Sequence, residues 1–245
     1  MKSRLSKLAM NPQVALLTAS IGFATLNCAH RPSQVTRNEN IPVVQQSPLT
    51  AKFGLPCMVN DADFSKTKQL LESGVPVDST ADECIVMEPS PRGVTLLMRA
   101  AYLGKVETVN LLLVHGANVN AKDTDGDTPV AYAVSGKNVD VISALSEKGA
   151  DVNSKAELDR TPLMAAAGDG DLNIVNCLID HGALLNIIDA HGTTALMFAA
   201  GFKQPRAVRA LLRRGANPQL KDRRGRTYLD YAKRGFPDDY VIYKM

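Results

Sequence analysis

The residues with the chemistry to hold a metal or move a proton are few and scattered. Asp123, Asp125 and Asp127 stand at alternate positions, as at the start of a calcium loop. The acidic residue that ends such a loop and its helix–loop–helix frame are both missing. His30, His115, His181 and His191 fall at no zinc spacing with Cys28, Cys57, Cys84 and Cys177. No glycine-rich phosphate loop follows an extended run, and no Gly-x-Ser-x-Gly elbow occurs. The pattern predicts no catalytic pocket, no metal and no cofactor.

The elements that carry these residues are repeated. Thr95, Thr128, Thr161, Thr194 and Thr227 stand 33 residues apart, and Gly116, Gly149, Gly182 and Gly215 keep the same spacing. Such self-similarity means one supersecondary unit copied along the chain, each copy needing a neighbour to bury its apolar face. Within a copy, threonine, often with proline after it (Thr128-Pro129, Thr161-Pro162), predicts a capped helix start. Ala100, Ala133, Ala166, Ala199 and Ala232 then form a column in which a larger side chain would clash. Val106, Val109, Leu112 and Leu113, and Leu172, Val175, Leu178 and Ile179, give a second helix an apolar face at helical spacing. The glycine is expected to end that helix in the left-handed region, and Ala-Asn-Val-Asn at 117–120 to start a turn.

These pieces resemble the ankyrin repeat. The matching stretches are 93–125, 126–158, 159–191 and 192–224, with Met98, Ala131, Met164 and Met197 where that family has the histidine of Thr-Pro-Leu-His. The resemblance implies an all-α solenoid of helix–turn–helix units with β-turn fingers, four full repeats between irregular caps. Residues 51–92 read as an N-terminal capping repeat with an overlong finger, since LLESGVPVD at 70–78 echoes LLLVHGANVN. Residues 225–245 begin a fifth copy and read as the C-terminal cap, with Lys233 at a position that is apolar in the other copies.

In that family the fingers and the exposed side of the first helices grip other proteins. Carried over by register, the matching positions here are Arg92, Tyr102, Leu103, Asp125, Asp127, Glu157, Leu158, Arg160, Asp169, His191, Phe202, Arg223, Arg224 and Arg226. Tyr102, Leu103 and Phe202 are apolar where water is expected, which makes them candidate anchors.

Charge is unevenly placed. The net charge is +3, yet residues 201–245 alone carry +8 and the remainder −5. Five of the twelve Phe and Tyr fall in the last 18 residues. Arginines beside rings could take phosphates and bases, but aromatics at the end of a solenoid more often close its last repeat. The expected partner is therefore a protein with an acidic patch, or anionic lipid headgroups, and not nucleic acid; the chain is expected to be a monomer.

The first fifty residues differ in kind. Lys2, Arg4 and Lys7 precede an apolar stretch from Val14 to Cys28, and no acidic residue comes before Glu39. A basic start followed by ~15 apolar and small residues suits a secretory signal over 1–28. Residues 29–50, rich in Pro, Gln, Ser and Asn, read as an unfolded tether. Cys28 is placed like the lipid-attachment cysteine of bacterial lipoproteins. Cleavage after Ala24 or Ala29, a mitochondrial transit segment and an uncleaved disordered end are the competing readings. Export would put Cys57 and Cys84 in an oxidising compartment, where a disulfide between them is expected; in the cytosol both would be free thiols. Cys177 lies in a small-residue column of the second helices and is expected to be a buried, unreactive thiol.

The chain is thus expected to be a non-enzymatic protein-binding module of the bacterial envelope, periplasmic or anchored at the outer membrane. Resemblance to exported ankyrin proteins suggests an immunity protein or a helper of a stress enzyme. The alternative is a ligand or cofactor carrier that uses the open C-terminal end.

Overall fold

The computed structural model describes residues 62–80 and 93–235. In chain order these form α1 (Phe64–Glu72), α2 (Leu96–Tyr102), α3 (Val106–Val114), α4 (Pro129–Ser135) and α5 (Val139–Glu147). After a 3₁₀ turn (Glu157–Asp159) follow α6 (Pro162–Asp169), α7 (Leu172–Asp180), α8 (Ala195–Gly201), α9 (Pro205–Arg213) and α10 (Tyr228–Gly235). Even-numbered helices pack on one another in sequence from α2 to α10, and odd-numbered helices do so from α1 to α9. The result is an all-α solenoid of two helical layers, one hairpin per repeat. A single bridge, Thr80 to Thr95, is the extended pairing among the described residues.

The alanine column explains how closely the first layer stacks. Ala100, Ala133, Ala166, Ala199 and Ala232 are each at most 1% exposed, so any side chain longer than a methyl would have to displace its neighbours. In the second layer the fully buried row is narrower than the apolar spacing predicts. Val109, Leu112, Val175 and Leu178 are at 0% exposure, whereas Val106, Leu113, Leu172 and Ile179 are only half-buried at its margins. Each fully buried leucine or valine contributes ~1.5–3 kcal/mol relative to exposure.

Helix ends follow from local chemistry. Gly116, Gly149, Gly182 and Gly215 have φ between 85° and 96°, and the flanking amides reach back, Gly116 N–H to Leu113 O (3.1 Å) and Ala117 N–H to Leu112 O (3.0 Å). That is the Schellman closure, which satisfies carbonyls left over at a helix C-terminus. At the starts, Thr95, Thr161 and Thr194 hydroxyls accept from Met98, Met164 and Met197 amides. The methionine sulfurs partly replace the missing histidine, with Thr95 N–H 3.4 Å from Met98 Sδ and Thr161 N–H 3.5 Å from Met164 Sδ. Thr128 departs from the expected cap. Its hydroxyl pairs with Ser154 Oγ at 3.1 Å, and its helix start rests on Pro129, which has no N–H to satisfy.

The described segment 62–80 is tied to the copy that follows it. Asp63 caps α1 through Lys66 N–H (2.8 Å), buried Thr108 Oγ1 donates to Ala62 O (2.7 Å), and Asp78 accepts from Asn118 N–H (3.0 Å). At the other end Lys233 is exposed, its ammonium 3.9 Å from Asp230. Cys177 is buried and free, as expected from its column.

Candidate protein-binding face

The fingers at 121–127, 154–160, 187–193 and 220–226 project from the first-helix layer. Three are built the same way. Asp123 Oδ1 accepts from the amides of Asp125 (3.0 Å) and Asp127 (2.8 Å). Asp189 does the same for His191 and Thr193, and Asp222 for Arg224 and Arg226. A carboxylate accepting two amides fixes a tight turn without a sheet. In two of the three the other carboxylate oxygen reaches the first helix that follows: Tyr132 O–H donates to Asp123 Oδ2 (2.8 Å) and Tyr231 O–H to Asp222 Oδ2 (2.9 Å). Finger tips are linked in turn, Ala190 N–H to Leu158 O (2.8 Å) and Arg223 N–H to His191 O (3.0 Å).

The finger at 154–160 breaks the rule. Ala156 stands where the aspartate should be and Asp159 where the others have Gly126, Gly192 and Gly225. The turn still closes, Ala156 N–H to Arg160 O at 2.9 Å. It does so with Leu158 at φ 58° and Asp159 at φ 60°, a region that costs a residue with a Cβ ~1 kcal/mol or more. Leu158 is thereby held at the tip, 42% exposed.

Behind that tip lies an aromatic stack. Phe198 on α8 and Phe202, the residue that follows the helix end, face each other at 6.2 Å with planes 8° from parallel. The Arg160 guanidinium sits 5.8 Å from the Phe198 ring centre, within cation–π range. Gly168 on α6 lies beside the stack, where a Cβ would meet the Phe202 ring at 3.4 Å, an ordinary van der Waals contact. Phe198 is buried and Phe202 is 39% exposed, so the stack shows one ring edge to water and keeps the other inside.

A repeat-family profile described as ankyrin repeats (3 copies) matches residues 57–156 and 154–222. The chain belongs to the ankyrin repeat family. No curated protein matches it. Ankyrin repeats are generally protein–protein interaction modules, typically without catalytic activity.

Electrostatics divide the candidate face in two. Towards the N-terminus are Asp123, Asp125, Asp127 and Glu157. Burial, then the charges of Asp123, Asp125 and Glu157, push the Asp127 carboxyl up to about 6. Burial and the hydrogen bond to Asp123 push the Tyr132 phenol up as well. Towards the C-terminus Arg223 and Arg224 are exposed. Arg226 is not the free edge cation expected from the sequence. Its Nε and Nη2 lie 2.7 and 2.6 Å from Asp222 Oδ2. The guanidinium also stands 4.6 Å from the Tyr231 ring centre, with Nη2 2.9 Å from the phenol oxygen. Burial works against the Asp222 charge, but hydrogen bonds from Arg226, Tyr231 and Arg224 outweigh it and hold the carboxyl at about 2.

Of the remaining expected contact residues, Leu103, Asp125, Glu157, Asp169 and His191 are exposed, while Tyr102, Asp127 and Arg160 are half-buried. Tyr102 also serves the fold, its carbonyl accepting from Asn138 Nδ2 at 2.7 Å. Arg92, Cys28, Cys57 and Cys84 lie outside the described residues. The sequence reading missed Tyr132 and Phe198. Both stand four residues after the capping threonine, in the column Arg99, Tyr132, Ala165, Phe198 and Tyr231, where three rings in five copies were the available signal. Among the described residues no group of three His, Cys, Asp or Glu is placed to hold a metal ion, and no helix is long and apolar enough to cross a membrane.

Proposed function

We propose that this chain is an exported bacterial binding module that holds a partner protein across its fingers and first helices, with no catalysis of its own. The observation that carries this reading is the Arg160–Phe198–Phe202 stack beside the strained Leu158 tip. Energy is spent there on presenting apolar groups to water, and aromatic and arginine side chains that are partly buried and held in place are the usual anchors of an interface. Tyr102 and Leu103 extend the same surface towards the N-terminus.

Charge sets the orientation of the partner. Arg223 and Arg224 attract an acidic patch, while Asp125, Asp127 and Glu157 favour a basic one at the other end, so an antiparallel docking would bring like charges together. Export rests on Lys2, Arg4 and Lys7 with the Val14 to Cys28 stretch. In that setting lipid on Cys28 anchors the module in the envelope, and a Cys57–Cys84 bond closes the N-terminal capping repeat. An immunity protein or the helper of a stress enzyme is the role that fits such a module.

Photo-crosslinking in cells of native type tests the reading. A benzophenone side chain at position 202 or 158 should capture one protein, and the same group at 107 or 148 on the outer helices should not. Capture only from 107 or 148 contradicts it. Mass spectrometry of the mature chain tests export separately, since an intact Met1 removes that part.

A further inference from the structure

The second layer carries a feature that the interaction face does not use. Between α7 and α9 runs a groove of about 340 Å³ lined by Arg206, Arg209, Arg213 and Arg214, with Leu172 and Asn176 from α7. Arg206, Arg209 and Arg213 stand at i, i+3 and i+7 on one face of α9, the spacing that keeps side chains together along a helix. All four arginines are exposed. Arg214 is paired to Asp180 at 2.7 Å; among the described residues the other three have no carboxylate partner.

The repeat itself shows that the fold does not require them. One copy earlier the positions of Arg206, Arg209 and Arg213 hold Asn173, Asn176 and Asp180; two copies earlier, Asp140, Ser143 and Glu147; three copies earlier, Glu107, Asn110 and Val114. Neutral and acidic residues fill the same three places on α3, α5 and α7, and those helices pack alike. With no carboxylate partner among the described residues, these three guanidinium groups give the groove a concentrated positive charge. Guanidinium forks match the oxygens of phosphate two at a time, and the groove is of small-ligand size, ~300 Å³ or more.

We propose that the α7/α9 groove binds a phosphorylated ligand carrying two or more negative charges. The site is separate from the finger face, and neither reading depends on the other. Two sources share the chemistry, a free phosphorylated small molecule and the headgroup of an anionic lipid.

The test uses the full chain, native and with Arg209→Glu/Arg213→Glu, beside Arg223→Glu/Arg224→Glu as a control of equal charge change on the fingers. Inorganic pyrophosphate is titrated calorimetrically at ~0.1 M salt, where exposed charges still act over about 10 Å, and vesicles of phosphatidylglycerol in phosphatidylcholine are sedimented with each protein. Pyrophosphate binding weakened at least tenfold by the groove change and under threefold by the finger change supports the site and a free ligand. Vesicle binding with the same discrimination, without pyrophosphate binding, supports it with a lipid headgroup as the source. Equal loss in both variants, or no binding of either probe by the native chain, overturns it. Should the double glutamate variant fail to fold by circular dichroism, Arg209→Gln/Arg213→Gln is read in its place against the same thresholds.

Discussion

Replacing Arg226 by alanine should destabilise the C-terminal end of the array by about 2–3 kcal/mol, although its sequence position suggests a free surface cation. Exposed ion pairs are worth ~0.2–1 kcal/mol, so the magnitude depends on burial. Asp222 is 1% exposed at its side chain and Arg226 24%. A hydrogen bond to a charged group in such a place contributes ~1.5–3 kcal/mol, and the ring contact with Tyr231 adds ~0.5–1. The cost stays below the ~3–5 kcal/mol of a fully broken buried pair, because Asp222 keeps the amides of Arg224 and residue 226 and the Tyr231 hydroxyl. The pH dependence has a definite sign. The carboxyl of Asp222 is lowered from 3.8 to about 2, so its contribution is complete above about pH 4 and lost as pH falls through about 2. The penalty of the substitution should shrink over that window. Hydrogen exchange of the 220–226 finger and α10 reads the effect locally, which suits a solenoid whose repeats need not unfold together; urea unfolding reads it globally. Arg224→Ala is the control: the side chain is exposed, the residue serves the finger through its backbone amide, and the change should stay within ~0.5 kcal/mol. Equal protection of α10 in the two variants would mean that Arg226 is no part of the fold.

Two other substitutions probe the fingers. Asp127→Asn should raise stability at about pH 7.5 and have no effect near pH 3.5. The raised carboxyl, at about 6 against 3.8, disfavours the folded state when ionised and is relieved as pH falls through 6. The shift is worth ~3 kcal/mol at face value, and screening of a partly exposed group brings it to about 1 kcal/mol; a Tm difference that persists at the acidic end rules this cause out. Asp159→Gly should stabilise by ~0.5–1 kcal/mol, because φ is 60° there and the equivalent positions are glycine; a loss of stability in urea unfolding would show that the turn depends on the Asp159 side chain instead.

The spacing of 33 marks the four copies from 93 to 224, because the alanine column, the capping threonine and the terminal glycine are each demanded by backbone geometry and show in the sequence as residue types. Side-chain partnerships were harder to see. Arg226 and Arg224 look alike as letters, and only the direction of each residue in the turn decides which one meets Asp222. The nine-residue spacing from Asp123 to Tyr132, repeated from Asp222 to Tyr231, carried the information but required knowing that a finger folds back on the next helix. The same limit applies to the finger at 154–160. Ala156 and Asp159 announce a departure from the pattern, while the exposure of Leu158 and the stacking of Arg160 on Phe198 depend on the following repeat. Met98 and Met164, where the ankyrin family has a histidine, show a sulfur accepting from the capping threonine's amide.

Binding kinetics decide most directly whether the finger and first-helix side holds the partner. With the crosslinked protein purified, surface plasmon resonance should be run on Phe202→Ala and Arg223→Glu/Arg224→Glu, with Glu107→Lys and Lys148→Glu as outer-layer controls. Phe202→Ala should speed dissociation by an amount equivalent to ~1–3 kcal/mol, the arginine reversals should slow association with an acidic partner and flatten its salt dependence, and both controls should match the native chain. Losses confined to Glu107→Lys and Lys148→Glu, or equal in all four variants, would contradict it.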